Sequence, residues 1–234
     1  MILLADSKPS ALEIYRRLRK MFGYLDWWPG ETSFEVLVGA ILTQNTSWKN
    51  VERAIANLKA EDCLDLGKMC DVGTGALEKM LRPSGYFRQK AGRLKSICNR
   101  IRKDYGTLEN FYSLDRDELR EKLLSMKGIG KETADSIVLY SAEKPTFVID
   151  TYTRRSMSRI MKGTLEGDEA PYDDLKSYFE TNVPRRLSLY KDFHAQLVEL
   201  GKNYCKKRNP LCRECPLIEL CRYGNRAAFR KAEL

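Results

Sequence analysis

Apolar residues along this chain recur at spacings of three and four and almost never alternate, which excludes a sheet-based fold before any motif is considered. Leu12, Tyr15, Leu18 and Phe22 follow the 3.6-residue period, as do Phe34, Leu37, Val38, Ile41 and Leu42. No useful length of period-2 alternation occurs. The spacing predicts further helices near 48–59, 88–103, 115–124, 131–142, 151–162, 172–182 and 186–203. Gly, Pro, Asn and Asp punctuate them, as in Arg82-Pro83-Ser84-Gly85 and Glu143-Lys144-Pro145. The fold class expected is all-α. With 234 residues, 43% of them hydrophobic, the chain can bury a core as one large domain or two small ones. No window reaches the roughly 18 to 20 uninterrupted apolar residues of a membrane span, and MILLADSKPS turns polar too early for a secretory signal. A soluble, cytoplasmic protein with no membrane partner is expected.

Charge is unevenly placed. The net charge is +9, yet residues 1–87 hold 11 Lys/Arg against 11 Asp/Glu, so the excess lies in residues 88–234, with 30 against 21. Three basic runs stand out: Arg88, Lys90, Arg93, Lys95, Arg100, Arg102 and Lys103; then Arg154, Arg155, Arg159 and Lys162; then Arg222, Arg226, Arg230 and Lys231. One such run is usually a solvated face. Three in one half point to contact with a phosphate backbone.

Two residue types restrict the chemistry. The single histidine, His194, is the only position a Ser-His-Asp triad could use, and a histidine-rich catalytic metal site cannot be built. Seven cysteines are too few for a secreted disulfide framework of this length. Four of them form Cys205-x6-Cys212-x2-Cys215-x5-Cys221, within 17 residues. Such a span can wrap four thiolates around one site, suited to a 4Fe-4S cluster or to zinc, and spacing alone does not choose. Cys63, Cys70 and Cys98 are isolated and read as small core residues.

Leu124-Ser125-Met126-Lys127-Gly128-Ile129-Gly130-Lys131-Glu132-Thr133-Ala134 predicts a tight turn between two helices, whose backbone N–H groups could receive a phosphate. The apolar run Pro145-Thr146-Phe147-Val148-Ile149 leads into Asp150-Thr151-Tyr152-Thr153-Arg154-Arg155. Asp150 reads as the N-cap of a basic helix, where the cap would favour its ionised form.

The Gly-x-Gly hairpin, an Asp eighteen residues beyond Glu132 and the four-cysteine loop together resemble the helix-hairpin-helix DNA glycosylases of the endonuclease III superfamily, over nearly the whole chain. The resemblance implies a 4Fe-4S cluster on Cys205, Cys212, Cys215 and Cys221. It also implies a six-helix barrel over residues 25–144, a second domain of residues 1–24 and 145–234, and a cleft between them with Asp150 at its mouth. Its partner would be double-stranded DNA containing damaged bases, bound as a monomer, with Lys127, Gly128, Ile129, Gly130, Lys131, Arg154 and Arg155 on the phosphates. Gln44 would fill the gap left by a flipped nucleotide and Tyr86 would wedge beside the opposite base.

Within that superfamily, endonuclease III proper carries a Schiff-base lysine where this chain has Glu132, so Asp150 and Glu132 are the expected catalytic positions without a covalent imine. Lys131 is adjacent, but one helical residue moves a side chain about 100° around the axis. Asp150 could still stabilise an oxocarbenium-like sugar and orient or deprotonate water. Asp26-Trp27-Trp28-Pro29 and Leu42-Thr43-Gln44-Asn45-Thr46-Ser47-Trp48 resemble the base-pocket segments of the bacterial 3-methyladenine DNA glycosylases, as does Arg82-Pro83-Ser84-Gly85-Tyr86. Relatives of that type can lack the cluster. Trp27, Trp28, Pro29 and Trp48 would line the pocket, where a cationic N-alkylpurine gains cation-π attraction. The leading expectation is a monofunctional alkylpurine glycosylase. The alternatives are an endonuclease III-like glycosylase and AP lyase for oxidised pyrimidines, and a non-catalytic DNA-binding module.

Overall fold

A computed structural model describes residues 9–25, 30–162 and 171–225. Among them there is no strand. In chain order the α-helices are α1 (Ala11–Phe22), α2 (Ser33–Leu42), α3 (Trp48–Ala60), α4 (Leu66–Asp71), α5 (Thr74–Leu81), α6 (Phe87–Tyr105), α7 (Leu108–Tyr112), α8 (Arg116–Leu124), α9 (Lys131–Ser136), α10 (Thr151–Ile160), α11 (Tyr172–Asn182) and α12 (Leu187–Asn203). The long helices fall where the apolar period places them. Helices α4, α5 and α7 have 6, 8 and 5 residues, too short to hold themselves together or to show a period. They form by packing, α4, α5 and α7 each against α6, with Asp65 capping α4 by accepting from the Lys68 N–H at 3.0 Å. The helix expected over 131–142 changes pitch: beyond Ser136 it continues as a π-helix over Ile137–Ser141.

The chain divides into two compact units, Trp28–Pro145 and Met1–Trp27 with Thr146–Leu234. In the first, α2 is buried from Phe34 to Leu42 because its residues are apolar or small except for Glu35. It packs against α3, α6, α9 and the π-helical segment. The Ser141 hydroxyl donates to Ser33 O at 2.5 Å and shares a 2.5 Å hydrogen bond with Tyr112, which ties the π-helical end to the start of α2.

In the second unit α12 packs against α10 and α1. Phe147 stacks on Phe179 at 4.0 Å between ring centroids, and Phe193 meets both edge-on. Buried Asp192 accepts from the Tyr15 hydroxyl at 2.6 Å and the Leu25 N–H at 2.9 Å, with Arg19 Nε at 3.6 Å. Burial and that carboxylate push the Tyr15 hydroxyl up to about 12. The N-terminal helix is fastened to α12 by this buried polar group as well as by apolar packing.

Candidate active site and cysteine loop

Asp150 stands where a buried extended run meets a helix. Phe147, Val148 and Ile149 fix the approach, and Asp150 Oδ1 accepts from the Thr153 N–H at 2.7 Å, capping α10 as its sequence position predicts. The side chain keeps 13% of its surface exposed. His194 of α12 lies behind it, with Nε2 3.9 Å from Asp150 Oδ1. Complete burial holds the imidazole below its ordinary pKa of 6.5 against the smaller opposing pull of Asp150, so it is neutral near pH 7. His194 falls within the helix expected over 186–203, but the sequence gives no sign of this proximity, which arises from the packing of α10 on α12.

The hairpin is built as its glycines require. Gly128 has φ +87°, and a Cβ there would come within 2.4 Å of the Arg93 side chain. Ile129 turns its side chain into the core at 6% exposed, and its N–H is taken by Met126 O at 3.1 Å, so neither is offered to a phosphate. Lys127, Gly130, Lys131 and Glu132 are exposed. Arg120 of α8 donates to buried Asp135 of α9 in bidentate fashion, Nε to Oδ1 at 2.7 Å and Nη2 to Oδ2 at 3.1 Å. That pair locks the two arms of the hairpin.

Gln44 is drawn onto this turn. Its amide donates to Gly128 O at 3.1 Å and Thr133 Oγ1 at 2.9 Å, while Arg93 donates to its oxygen. Tyr86 follows Gly85, at φ +67°, and itself adopts φ +45°, leaving its ring 65% exposed. Trp48 lines a cavity of about 290 Å³ with Gly30, Gly39, Glu35, Glu52 and Ile55. Glu31 and Lys59 complete its charged rim, three carboxylates against one ammonium that bridges Glu31 at 2.8 Å and Glu35 at 3.1 Å. Trp27, Trp28 and Pro29 lie outside the described residues.

The basic runs divide in a way the sequence did not indicate. In α6, Lys90 is buried at 1% exposed, Lys95 donates to Cys70 O and Val72 O, Arg102 pairs with Asp71 and Arg100 with Asp104. With Lys90 on the buried face and Lys95, Arg100 and Arg102 engaged within the protein, the run is not one phosphate-facing surface. The register 90, 94, 97, 101, shared with Leu94, Ile97 and Ile101, was the available sign that Lys90 faces inward. In α10, Arg155 donates to Cys205 O at 2.7 Å and Gly201 O at 2.9 Å, and Arg159 to Lys206 O at 2.8 Å and Cys205 Sγ at 3.3 Å. Both hold the cysteine loop. Arg154 is half-buried, and Arg226, Arg230 and Lys231 lie outside the described residues.

Cys63, Cys70 and Cys98 are buried in the core of the first unit, as their isolation predicts. Cys205, Cys212, Cys215 and Cys221 share one loop stiffened by a 3-10 turn over Cys212–Glu214. Burial, then the neighbouring sulfurs, push Cys215 up to about 11 and Cys221 up to about 12. The Gly224 N–H donates to Cys221 Sγ at 3.3 Å, as Arg159 does to Cys205. Among the described residues no three His, Cys, Asp or Glu side chains are gathered closely enough to hold a single metal ion as they stand. The four thiols share one loop, and two of them, Cys205 and Cys221, accept N–H donors, a donor chemistry compatible with an all-thiolate cluster.

The model of the HhH-GPD superfamily of base excision DNA repair proteins matches residues 38–179. A candidate DNA repair glycosylase of Methanocaldococcus jannaschii is 48% identical over 211 residues, covering 89% of this chain and 94% of its own length. An endonuclease III of Sulfolobus acidocaldarius is 31% identical, covering 81% and 82%. The structure of the Helicobacter pylori 3-methyladenine DNA glycosylase bound to 1,N6-ethenoadenine has a TM-score of 0.73 at 32% identity, covering 83% of this chain and 98% of its own. The chain therefore belongs to the HhH-GPD superfamily of base excision DNA repair proteins. Its activity falls in the DNA glycosylase class, hydrolases of N-glycosyl bonds.

Proposed function

We propose that this chain is a monofunctional DNA glycosylase that flips alkylated purines such as 3-methyladenine out of double-stranded DNA and hydrolyses their N-glycosidic bond. The observation that carries this reading is the Trp48 cavity, where an electron-rich ring is surrounded by Glu31, Glu35 and Glu52 against the single ammonium of Lys59. A cationic N-alkylpurine gains there in cation-π and Coulomb attraction, and a neutral base does not. Trp27, Trp28 and Pro29 are proposed as base-pocket residues on the resemblance of their segment alone. The Helicobacter pylori relative named for 3-methyladenine supports the substrate class.

A positively charged purine leaves without being protonated, so no general acid is needed. Asp150, at the cap of α10, stabilises the positive charge developing on the sugar and orients or deprotonates the attacking water. Glu132 offers no amine, so no imine forms with the sugar and the strand is left intact. Exposed Lys127 and Lys131, with the backbone of Gly128 and Gly130, take phosphates at the hairpin, and Arg154 takes one near α10. Gln44 occupies the gap left by the flipped nucleotide and Tyr86 wedges beside its former partner. Cys205, Cys212, Cys215 and Cys221 would hold a 4Fe-4S cluster, whose chemistry here is structural, fixing the loop that Arg155 and Arg159 grip. Incubation with duplexes carrying 3-methyladenine or an oxidised pyrimidine, with and without later alkali, tests the reading. Release of 3-methyladenine, with strand scission only after alkali, is expected. Scission without alkali at oxidised pyrimidines would replace it with a glycosylase and AP lyase.

A further inference from the structure

Lys90 is the one lysine whose side chain belongs among the largest fully buried groups of the described residues, and its placement is specific. Its Nζ donates to Leu42 O at 2.9 Å and to Ser84 O at 2.6 Å. Leu42 is the last residue of α2, two positions before Gln44. Ser84 closes the 3-10 turn Arg82–Ser84, two positions before Tyr86. These two backbone segments are 42 residues apart in the chain, and one ammonium joins them. An interior ammonium needs acceptors, and here it receives main-chain carbonyls at segment ends, groups left without helical partners. Arg93, one turn further along α6, does the matching work on the side chain of Gln44, donating to its oxygen while its stem covers Gly128.

We propose that Lys90 is a positioning residue for base extrusion: it fixes the spacing between the Gln44 loop and the Tyr86 turn, so that both side chains enter the duplex as one unit. This rests on the duplex roles assigned above to Gln44 and Tyr86. Both segments pass through the left-handed region, with Asn45 at φ +54° and Tyr86 at φ +45°. Such backbones persist only when their surroundings over-determine them. The contacts made by Lys90 supply that constraint at a distance of two residues from each probe. Lys90 itself touches neither DNA nor the reacting atoms, and its burial removes it as the amine of a lyase reaction.

The test uses the whole protein and a duplex with 2-aminopurine opposite a tetrahydrofuran abasic analogue, whose fluorescence rises when the opposite base is unstacked. Wild type should raise the signal, and Gln44→Ala combined with Tyr86→Ala should abolish most of the rise. Lys90→Met should match that double variant while binding undamaged duplex within about 3-fold of wild type, since phosphate contacts lie elsewhere. Adding Lys90→Met to the double variant should lower the signal no further, because all three act on one step. Lys90→Arg, whose fork can still reach two carbonyls, should recover at least half the rise. If Lys90→Met does not fold, Lys90→Gln is read instead; it keeps a donor but is too short to span both carbonyls, and an intermediate signal is expected. A folded Lys90→Met or Lys90→Gln with the wild-type rise overturns the proposal. If the Gln44 and Tyr86 substitutions leave the signal unchanged, the duplex roles themselves fall and the proposal falls with them.

Discussion

At the scale of single residues, the site is a set of side chains whose states follow from what surrounds them. Asp150 is held in place by the helix cap it forms, so Asp150→Asn, which preserves volume and much of the cap, should reduce base excision by at least about 100-fold while leaving duplex affinity near wild type. Single-turnover excision and a binding titration measured on the same variant check this. His194 is governed by its burial. Its folded-state pKa lies below 6.5, so above that pH the histidine adds no pH dependence, and as pH falls below 6.5 the unfolded chain takes up a proton that the folded one refuses. Stability should therefore drop on acidification through that window, and His194→Gln should flatten the drop. Thermal melts of the two proteins between about pH 7 and pH 5 provide the comparison.

At the scale of elements, α6 and the hairpin illustrate how far a pattern in sequence reaches. The Gly-x-Gly turn was legible because only glycine readily takes the φ of +87° found at Gly128, and the turn chemistry is local. The use of α6 was not. Its seven basic residues read as one charged strip, whereas two of them, Lys90 and Lys95, serve backbone carbonyls and one, Arg93, serves Gln44. Their partners come from α2, α4, the segments after them and the 3-10 turn Arg82–Ser84, choices that no local pattern reports. The lock between α8 and α9 is of the same kind. Arg120→Ala leaves Asp135 buried without its bidentate partner and should destabilise the protein by about 3 kcal/mol, a fall of roughly 6 to 12 °C in Tm. Differential scanning calorimetry on the purified variant measures that loss directly.

At the scale of the whole molecule, the cysteine loop makes the strongest claim. Protein prepared without oxygen should be brown, with broad visible charge-transfer absorption and iron and acid-labile sulfide in equal amounts. Cys212→Ala should bleach it and expose the loop around Arg155 and Arg159 to proteolysis. Elemental analysis showing zinc without iron would reassign the metal. No helix among the described residues is long and apolar enough to cross a membrane.

The sequence by itself determined the helical class, the positions of the long helices, the hairpin turn and the cap at Asp150, because each is a matter of period or of a few neighbouring residues. It also determined the donor chemistry of the four-cysteine loop. Only the tertiary structure decided which charges face inward, that His194 lies beside Asp150, that Gln44 rests on the hairpin, and that Trp48 shares a cavity with carboxylates from α2 and α3. The physical reason is the same throughout. A buried polar group must find a partner wherever the fold provides one, and that partner is chosen by packing in space and not by separation along the chain.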